Sequence, residues 1–259
     1  MIINFFKYHG TGNDFIIIDN RNKKFTIDNN IIQKMCDRRF GIGADGLMLL
    51  EENTNTDFKM IYFNADGFEG TMCGNGGRCI VAFANKIGVI KNKTKFIAVD
   101  GIHYAKINNN LISLKMSDLN RIDKIDNDYF LNTGSPHYVK FINKIEDIDI
   151  YNDGKKIRNS FLFKNKGTNV NFAELKNNII KVGTYERGVE DETFSCGTGV
   201  TAVAICAFLE LKKTKNNFNI ETKGGKLNVK FENKENYFSN IWLTGPATFV
   251  YKGKYTINE

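Results

Sequence analysis

The sequence predicts an α+β protein of two pseudo-symmetric domains, each with a mainly antiparallel sheet and one buried helix. Three observations predict it: a repeated motif, an apolar helical run after each copy, and strand-like segments bounded by turn residues. The first copy reads Glu69-Gly-Thr-Met-Cys73-Gly-Asn-Gly and the second Glu192-Thr-Phe-Ser-Cys196-Gly-Thr-Gly. They lie 123 residues apart, close to half of the 259-residue chain. Gly12-Asn-Asp-Phe and Gly134-Ser-Pro-His form a weaker echo at nearly the same offset. Self-similarity at a fixed offset marks duplicated units. It divides the chain into 1–118, completed by the C-terminal segment 248–259, and 119–247.

In chain order, a strand is expected over 58–64 and a helix over 79–87, where Ile80, Val81, Phe83, Ala84 and Ile87 recur at helical spacing before Gly88. Strands follow over 95–100 and 111–117, with Asp100-Gly101 as a hairpin turn. A further strand is expected over 179–186. After Cys196 the residues Val200, Val203, Ala204, Ala207, Phe208 and Leu211 fall on one helical face, and Ala202, Ile205, Cys206 and Leu209 fill the others. A helix apolar nearly all round belongs in a core. Strands over 218–223 and 226–231, joined by Lys223-Gly-Gly-Lys226, and a last strand over 241–250 complete the pattern.

Composition narrows the classes of function. The chain is 42% hydrophobic and 25% charged with two prolines, which excludes a disordered or proline-rich chain. The net charge of +7 comes mostly from Lys, 29 of the 36 basic residues, scattered among 34 Asn. That pattern reads as a compositional bias, and no nucleic-acid partner is expected. No apolar run reaches the ~18–20 residues of a membrane span, and the N-terminus lacks a signal-peptide pattern. Five scattered cysteines do not make a disulfide framework, so a reducing cytoplasm is expected. Without Cys-x-x-Cys or clustered histidines, no metal site is expected.

Two of the cysteines stand apart. Cys79 and Cys206 lie inside apolar helices and read as structural, as does Cys36 in Met-Cys-Asp-Arg-Arg. Cys73 and Cys196 each sit where a glycine-flanked helix begins. Amides of a first helical turn lack intrahelical acceptors, and the helix dipole is positive there. Such a setting lowers a thiol pKa and attracts a carboxylate. A symmetric pair of thiols suits a symmetric reaction, in which one sulfur removes a proton from one face of a carbon and the other returns one to the opposite face. That chemistry is racemisation or epimerisation beside a carboxylate.

At these residues the sequence resembles the diaminopimelate epimerase family. The similar segments are His9-Gly-Thr-Gly-Asn-Asp-Phe15, Asp37-Arg-Arg-Phe-Gly-Ile-Gly-Ala-Asp-Gly46, Phe63-Asn-Ala-Asp-Gly67, Met72-Cys-Gly-Asn-Gly-Gly-Arg78, Gly134-Ser-Pro-His137, Gly167-Thr-Asn-Val170, Tyr185-Glu-Arg-Gly188 and Ser195-Cys-Gly-Thr-Gly199. They follow the family's order over nearly the whole chain. The resemblance implies two similar domains whose sheets wrap a central helix. It implies cofactor-independent interconversion of LL- and meso-2,6-diaminoheptanedioate for lysine and peptidoglycan precursors, in a cytoplasmic homodimer. It makes Cys73 and Cys196 the acid/base pair and gives Gly74, Asn75, Gly197 and Thr198 to the reacting carboxylate. Asn13, Asn64 and Asn169 would bind the substrate's polar ends. Glu186 would accept from the distal ammonium and Arg187 would pair with the distal carboxylate. His137 and Glu186 would modulate the thiol pKa values.

Two positions depart from the family pattern. Gly46 stands where many members carry Gln and cannot make a side-chain hydrogen bond. Ser135 replaces an Asn and, with its shorter reach, is a candidate contact. Proline racemase-like enzymes share the two-cysteine logic, but a cyclic imino acid has no distal ammonium or carboxylate for Glu186 and Arg187. A thiol redox sensor or a silent ligand-binding module is the alternative outside catalysis.

Overall fold

The computed structural model describes residues 1–176, 178–212 and 214–257. The chain falls into two compact units, Met1–Leu114 with Pro246–Glu259, and Lys115–Gly245. The divisions thus fall a few residues before those read from the sequence. The first unit contains β1 (Ile2–Gly10), β2 (Asn13–Asp19), α1 (Asn29–Cys36), β3 (Gly46–Glu51), β4 (Phe58–Asn64), α2 (Gly74–Lys86), β5 (Lys93–Ala98), β6 (Gly101–Asn108) and β7 (Leu111–Lys115). The second contains β8 (Ile122–Ile125), β9 (Asp128–Asn132), β10 (Pro136–Ile142), α3 (Ile150–Arg158), β11 (Asn169–Lys176), β12 (Ile179–Glu186), β13 (Asp191–Thr193), α4 (Gly197–Glu210), β14 (Asn217–Thr222), β15 (Gly225–Lys234) and β16 (Tyr237–Pro246). The chain ends in β17 (Thr248–Thr256), which returns to the first unit and pairs antiparallel with β1.

Strand pairing bears out the repeat. In the first unit β1–β2 is antiparallel, β2–β3 parallel, β3–β4 antiparallel, β4–β5 parallel, and β5–β6 and β6–β7 antiparallel. In the second unit β9–β10, β10–β11, β11–β12, β12–β14, β14–β15 and β15–β16 repeat that order of senses. Each parallel pair needs a crossover, and each crossover carries a helix: α1 and α2 in one unit, α3 and α4 in the other. The sheets are therefore mainly antiparallel, with two parallel steps each that strand patterning did not reveal.

In both units the longer crossover helix is the core element. Of the fourteen residues of α4, only Thr198, Leu209 and Glu210 are not buried. Its buried Val and Ile side chains each contribute roughly 1.5–3 kcal/mol by leaving water. The corresponding α2 packs on β1, β2 and β3, where the rings of Phe6 and Tyr8 meet Phe83. The opposite face of that sheet is covered by α1, with Ile16, Ile18, Leu47 and Leu49 packed against Ile32 and Met35. In the second unit α3 covers Val170, Phe172 and Tyr185 in the same way.

Several element bounds differ from those expected. The apolar run over 79–87 is the later part of a helix that begins at Gly74, directly after Cys73 as the glycine motif implies, and Gly76 and Gly77 let its first turn pack closely on its neighbours. A Cβ on Gly76 would lie 3.2 Å from Sδ of Met48, and one on Gly77 3.0 Å from Sδ of Met72. The segment 241–250 is not one strand but the end of β16 and the start of β17. Pro246, which has no N–H to donate, closes the first. Gly88 ends α2 region with φ +78°, and Gly101 turns the β5–β6 hairpin with φ +121°.

Candidate active site

Both repeated cysteines are the residue before a helix. Cys73 stands at the N-cap of α2 and Cys196 at the N-cap of α4, each in extended conformation. Neither side chain caps its helix, so each sulfur lies beside a first turn of glycine, Asn75 or Thr198 without blocking its amides. The carbonyls of Cys73 and Cys196 accept the first helical bonds, from Gly77 and Val200. Gly74, Asn75, Gly197 and Thr198, the residues expected to meet the reacting carboxylate, thus lie in the first turns of α2 and α4.

In the first unit, Cys73 donates its Sγ–H to Oδ1 of Asn13 at 3.6 Å, and Nδ2 of Asn75 reaches the same oxygen at 3.4 Å. Asn13 is held from behind, its Nδ2 donating to Oδ2 of Asp45 at 2.6 Å. Asp45 in turn accepts from Arg38, which also grips Asp14, and Asp14 pairs with the buried Lys7 at 2.7 Å. Burial raises the Asp14 pKa, but the hydrogen bonds and charges of Arg38 and Lys7 outweigh it and hold the carboxyl near 2. Arg78 is fully buried on α2 and donates to the Gly74 carbonyl, to Oδ1 of Asn75 and to Oγ1 of Thr11. The motif Met72–Arg78 contains Arg78, but nothing in the sequence marks it as the side chain that braces Gly74 and Asn75. Asn64 ends β4, exposed, with its amide nitrogen against Gly70. Gly46 faces the Phe63 carbonyl and the Tyr62 ring, where an added Cβ would approach to 2.5 and 2.6 Å. The position has no room for a longer side chain. Gly46→Ala is expected to lower stability by about 1–3 kcal/mol through overpacking. A urea midpoint equal to wild type would contradict this.

In the second unit, Sγ of Cys196 lies 3.4 Å from Oγ1 of Thr198, which lies 2.8 Å from Nε2 of His137. Nδ1 of His137 lies 3.1 Å from Nδ2 of Asn171. His137 has no exposed surface, and burial, with the Arg187 charge nearby, pushes its pKa down to about 3. The unfolded chain therefore takes up a proton below pH 6.5 that the native protein refuses. Stability is expected to decline as pH falls from 6.5 towards 3, by up to about 1.4 kcal/mol per pH unit. Urea titrations at pH 7, 6 and 5 check this, and a flat profile would show His137 charging in place.

Asn169, Ser135 and Arg187 form the other cluster of this unit. Nδ2 of Asn169 donates to Oγ of Ser135 and to the Pro136 carbonyl, both at 2.9 Å, and its Oδ1 accepts from the Arg187 backbone at 2.8 Å. Arg187 also donates to the Lys166 carbonyl at 3.1 Å. Glu186, half-buried, ends β12 beside it. The structure thus joins Cys73, Asn13 and Asn75 in one unit, and Cys196, Thr198 and His137 in the other.

The remaining cysteines are elsewhere. Burial pushes the Cys36 thiol up to about 12 and raises Cys79 and Cys206 as well. Among the described residues, no group of three or more His, Cys, Asp or Glu gathers as metal ligands. No described helix is long and apolar enough to cross a membrane.

A profile of the diaminopimelate epimerase family matches residues 5–111 and 129–250. A diaminopimelate epimerase of Flavobacterium psychrophilum is 55% identical over 250 residues, covering 95% of this chain and 98% of that protein. One of Chlorobaculum tepidum is 41% identical, covering 96% of this chain and 99% of its own length. Among solved structures, a phenazine biosynthesis protein of the PhzF family from Bacillus anthracis superposes with a TM-score of 0.81 at 13% identity, covering 99% of this chain and all of that one. This last likeness concerns the fold.

Proposed function

We propose, from the premise that this chain belongs to the diaminopimelate epimerase family of isomerases, that it epimerises LL-2,6-diaminoheptanedioate to the meso form by a two-thiol mechanism. The single observation that carries the mechanism is the duplicated half-site: two units of the same strand order, each with a cysteine at the N-cap of its buried helix. One sulfur, as thiolate, takes the α-proton; the other, as thiol, donates a proton to the opposite face of the same carbon. The C–H electron pair passes onto the carboxylate side, where the first-turn amides of Gly74, Asn75, Gly197 and Thr198 stabilise the added charge. Reversing the roles of the sulfurs runs the reaction backwards.

The distal end needs its own partners, because buried ammonium and carboxylate groups are costly when unpaired. In this reading Glu186 accepts from the ammonium, the Arg187 fork holds the carboxylate, and Asn13, Asn64 and Asn169 bind the remaining polar atoms. Ser135 already accepts from Asn169, so it acts by orienting that amide. A cytoplasmic homodimer without cofactor belongs to the same proposal. Offering the enzyme LL-diaminopimelate and L-proline side by side tests it. Conversion of the first alone is expected, unaffected by chelators; racemisation of proline at comparable rates would instead favour a proline racemase-like specificity.

A further inference from the structure

The two half-sites are not equivalent, and the difference lies behind Cys196. On the paired strands of the first unit, Phe15 stands opposite Gly46 and Met48 follows two residues on. On the matching strands of the second unit, His137 stands opposite Asn169 and Asn171 follows two residues on. The first-turn glycines report the same correspondence. A Cβ on Gly76 would meet Met48 and Phe15, whereas one on Gly199 would lie 2.5 Å from Oδ1 of Asn171. The duplication therefore keeps an apolar pair behind one cysteine and a fully buried His–Asn pair behind the other.

The hydrogen-bond directions in that pair are fixed. Nδ2 of Asn171 lies 3.0 Å from the Tyr138 carbonyl, which can only accept, so this atom is the amide nitrogen. Its Oδ1 accepts from the Thr184 hydroxyl at 3.0 Å, which agrees. The second hydrogen of Nδ2 then points at Nδ1 of His137, which must be the bare ring nitrogen. The ring proton sits on Nε2 and is donated to Oγ1 of Thr198. Having accepted there, the Thr198 hydroxyl still holds its own hydrogen to donate, and Sγ of Cys196, 3.4 Å away, is within reach to accept it. Cys73 meets the opposite polarity. Asn13, turned by Asp45, presents its carbonyl oxygen to that sulfur. A donor favours a thiolate and an acceptor favours a thiol.

We propose that Asn171 is a positioning residue that locks His137 as the Nε2–H tautomer, so that Thr198 donates to Cys196 and this sulfur, not Cys73, carries the negative charge in the substrate-free enzyme. The proposal rests on the two-thiol reading above and adds to it which sulfur starts as the base. The Arg187 charge close to His137 acts in the same sense, keeping the ring neutral.

Two measurements on the full-length protein decide it. Nitrogen-15 NMR of histidine-labelled enzyme reads the tautomer directly, with His9 and His103 as the only other signals. His137 is expected to show a protonated Nε2 and a bare Nδ1 at pH 7. Mass-spectrometric timing of iodoacetamide labelling compares the sulfurs, and Cys196 is expected to react at least tenfold faster than Cys73. In Asn171→Asp the new carboxylate accepts from Nδ1–H, Nε2 becomes an acceptor, and the labelling ratio is expected to fall at least tenfold. A wild-type His137 protonated on Nδ1, or Cys73 reacting faster, would overturn the proposal even if the variant did not fold. A folded Asn171→Asp enzyme with unchanged tautomer and ratio would overturn it too. Neither readout requires turnover, so failure to epimerise diaminopimelate would strike the functional reading separately.

Discussion

Cys73→Ala and Cys196→Ala are each expected to lower kcat by about 10²–10⁴-fold, the range a positioned acid or base supplies. Each sulfur sits at a helix start, Cys73 half-buried and Cys196 buried but less enclosed than Cys79 or Cys206, and truncation removes one heavy atom, so stability is expected to stay within about 1 kcal/mol of wild type. Cys79→Ala and Cys206→Ala should behave the other way round. Both thiols have no exposed surface, and burial raises both pKa values, which keeps them protonated. Their truncation should reduce stability and leave kcat near wild type. Steady-state kinetics and urea unfolding on all four variants separate the two classes. A well-folded Cys73→Ala or Cys196→Ala enzyme with near-normal turnover would remove that sulfur from the mechanism.

The largest effect on stability is expected from Asp14→Ala. Asp14 neutralises Lys7, which is 6% exposed, and shares Arg38 with Asp45. Removing one partner of a buried charge pair leaves the other uncompensated and typically costs about 3–5 kcal/mol. Because Asp45 also holds Asn13 against Cys73, activity should fall in the molecules that remain folded. Equilibrium urea unfolding measures the first effect; a loss below about 1 kcal/mol would mean that Lys7 finds compensation without Asp14.

The parts of this arrangement legible in the sequence are those that recur. The duplicated motif marks both cysteines, and the apolar runs behind them mark both buried helices, because burial on every side leaves no polar face to blur the pattern. The crossover helices α1 and α3 are harder to read. They have only eight and nine residues, and each is started by an aspartate cap, Asp28 or Asp149, that resembles any turn residue. Gly154 further disguises α3, and only the fold explains it, since a Cβ there would lie 2.4 Å from Cβ of Tyr185. Without those helices the parallel strand pairs cannot be inferred. Asn171 is invisible for another reason. It is one of 34 asparagines, and what sets it apart is a strand register that brings it beside His137. Gly46 shows the reverse: the sequence marks it as a missing contact, and the structure shows Tyr62 and the Phe63 carbonyl filling its place.

Exchange of the α-proton of diaminopimelate between two thiols would bring solvent hydrogen into the product. Incubating the protein with LL-diaminopimelate in heavy water, followed by proton NMR and chiral analysis, tests it most directly. The wild-type enzyme is expected to replace an α-hydrogen with deuterium as the meso isomer appears, and Cys73→Ala and Cys196→Ala to form little or none. A wild-type protein that leaves both α-hydrogens in place, or single-cysteine variants that form meso product at the wild-type rate, would rule out the two-thiol exchange.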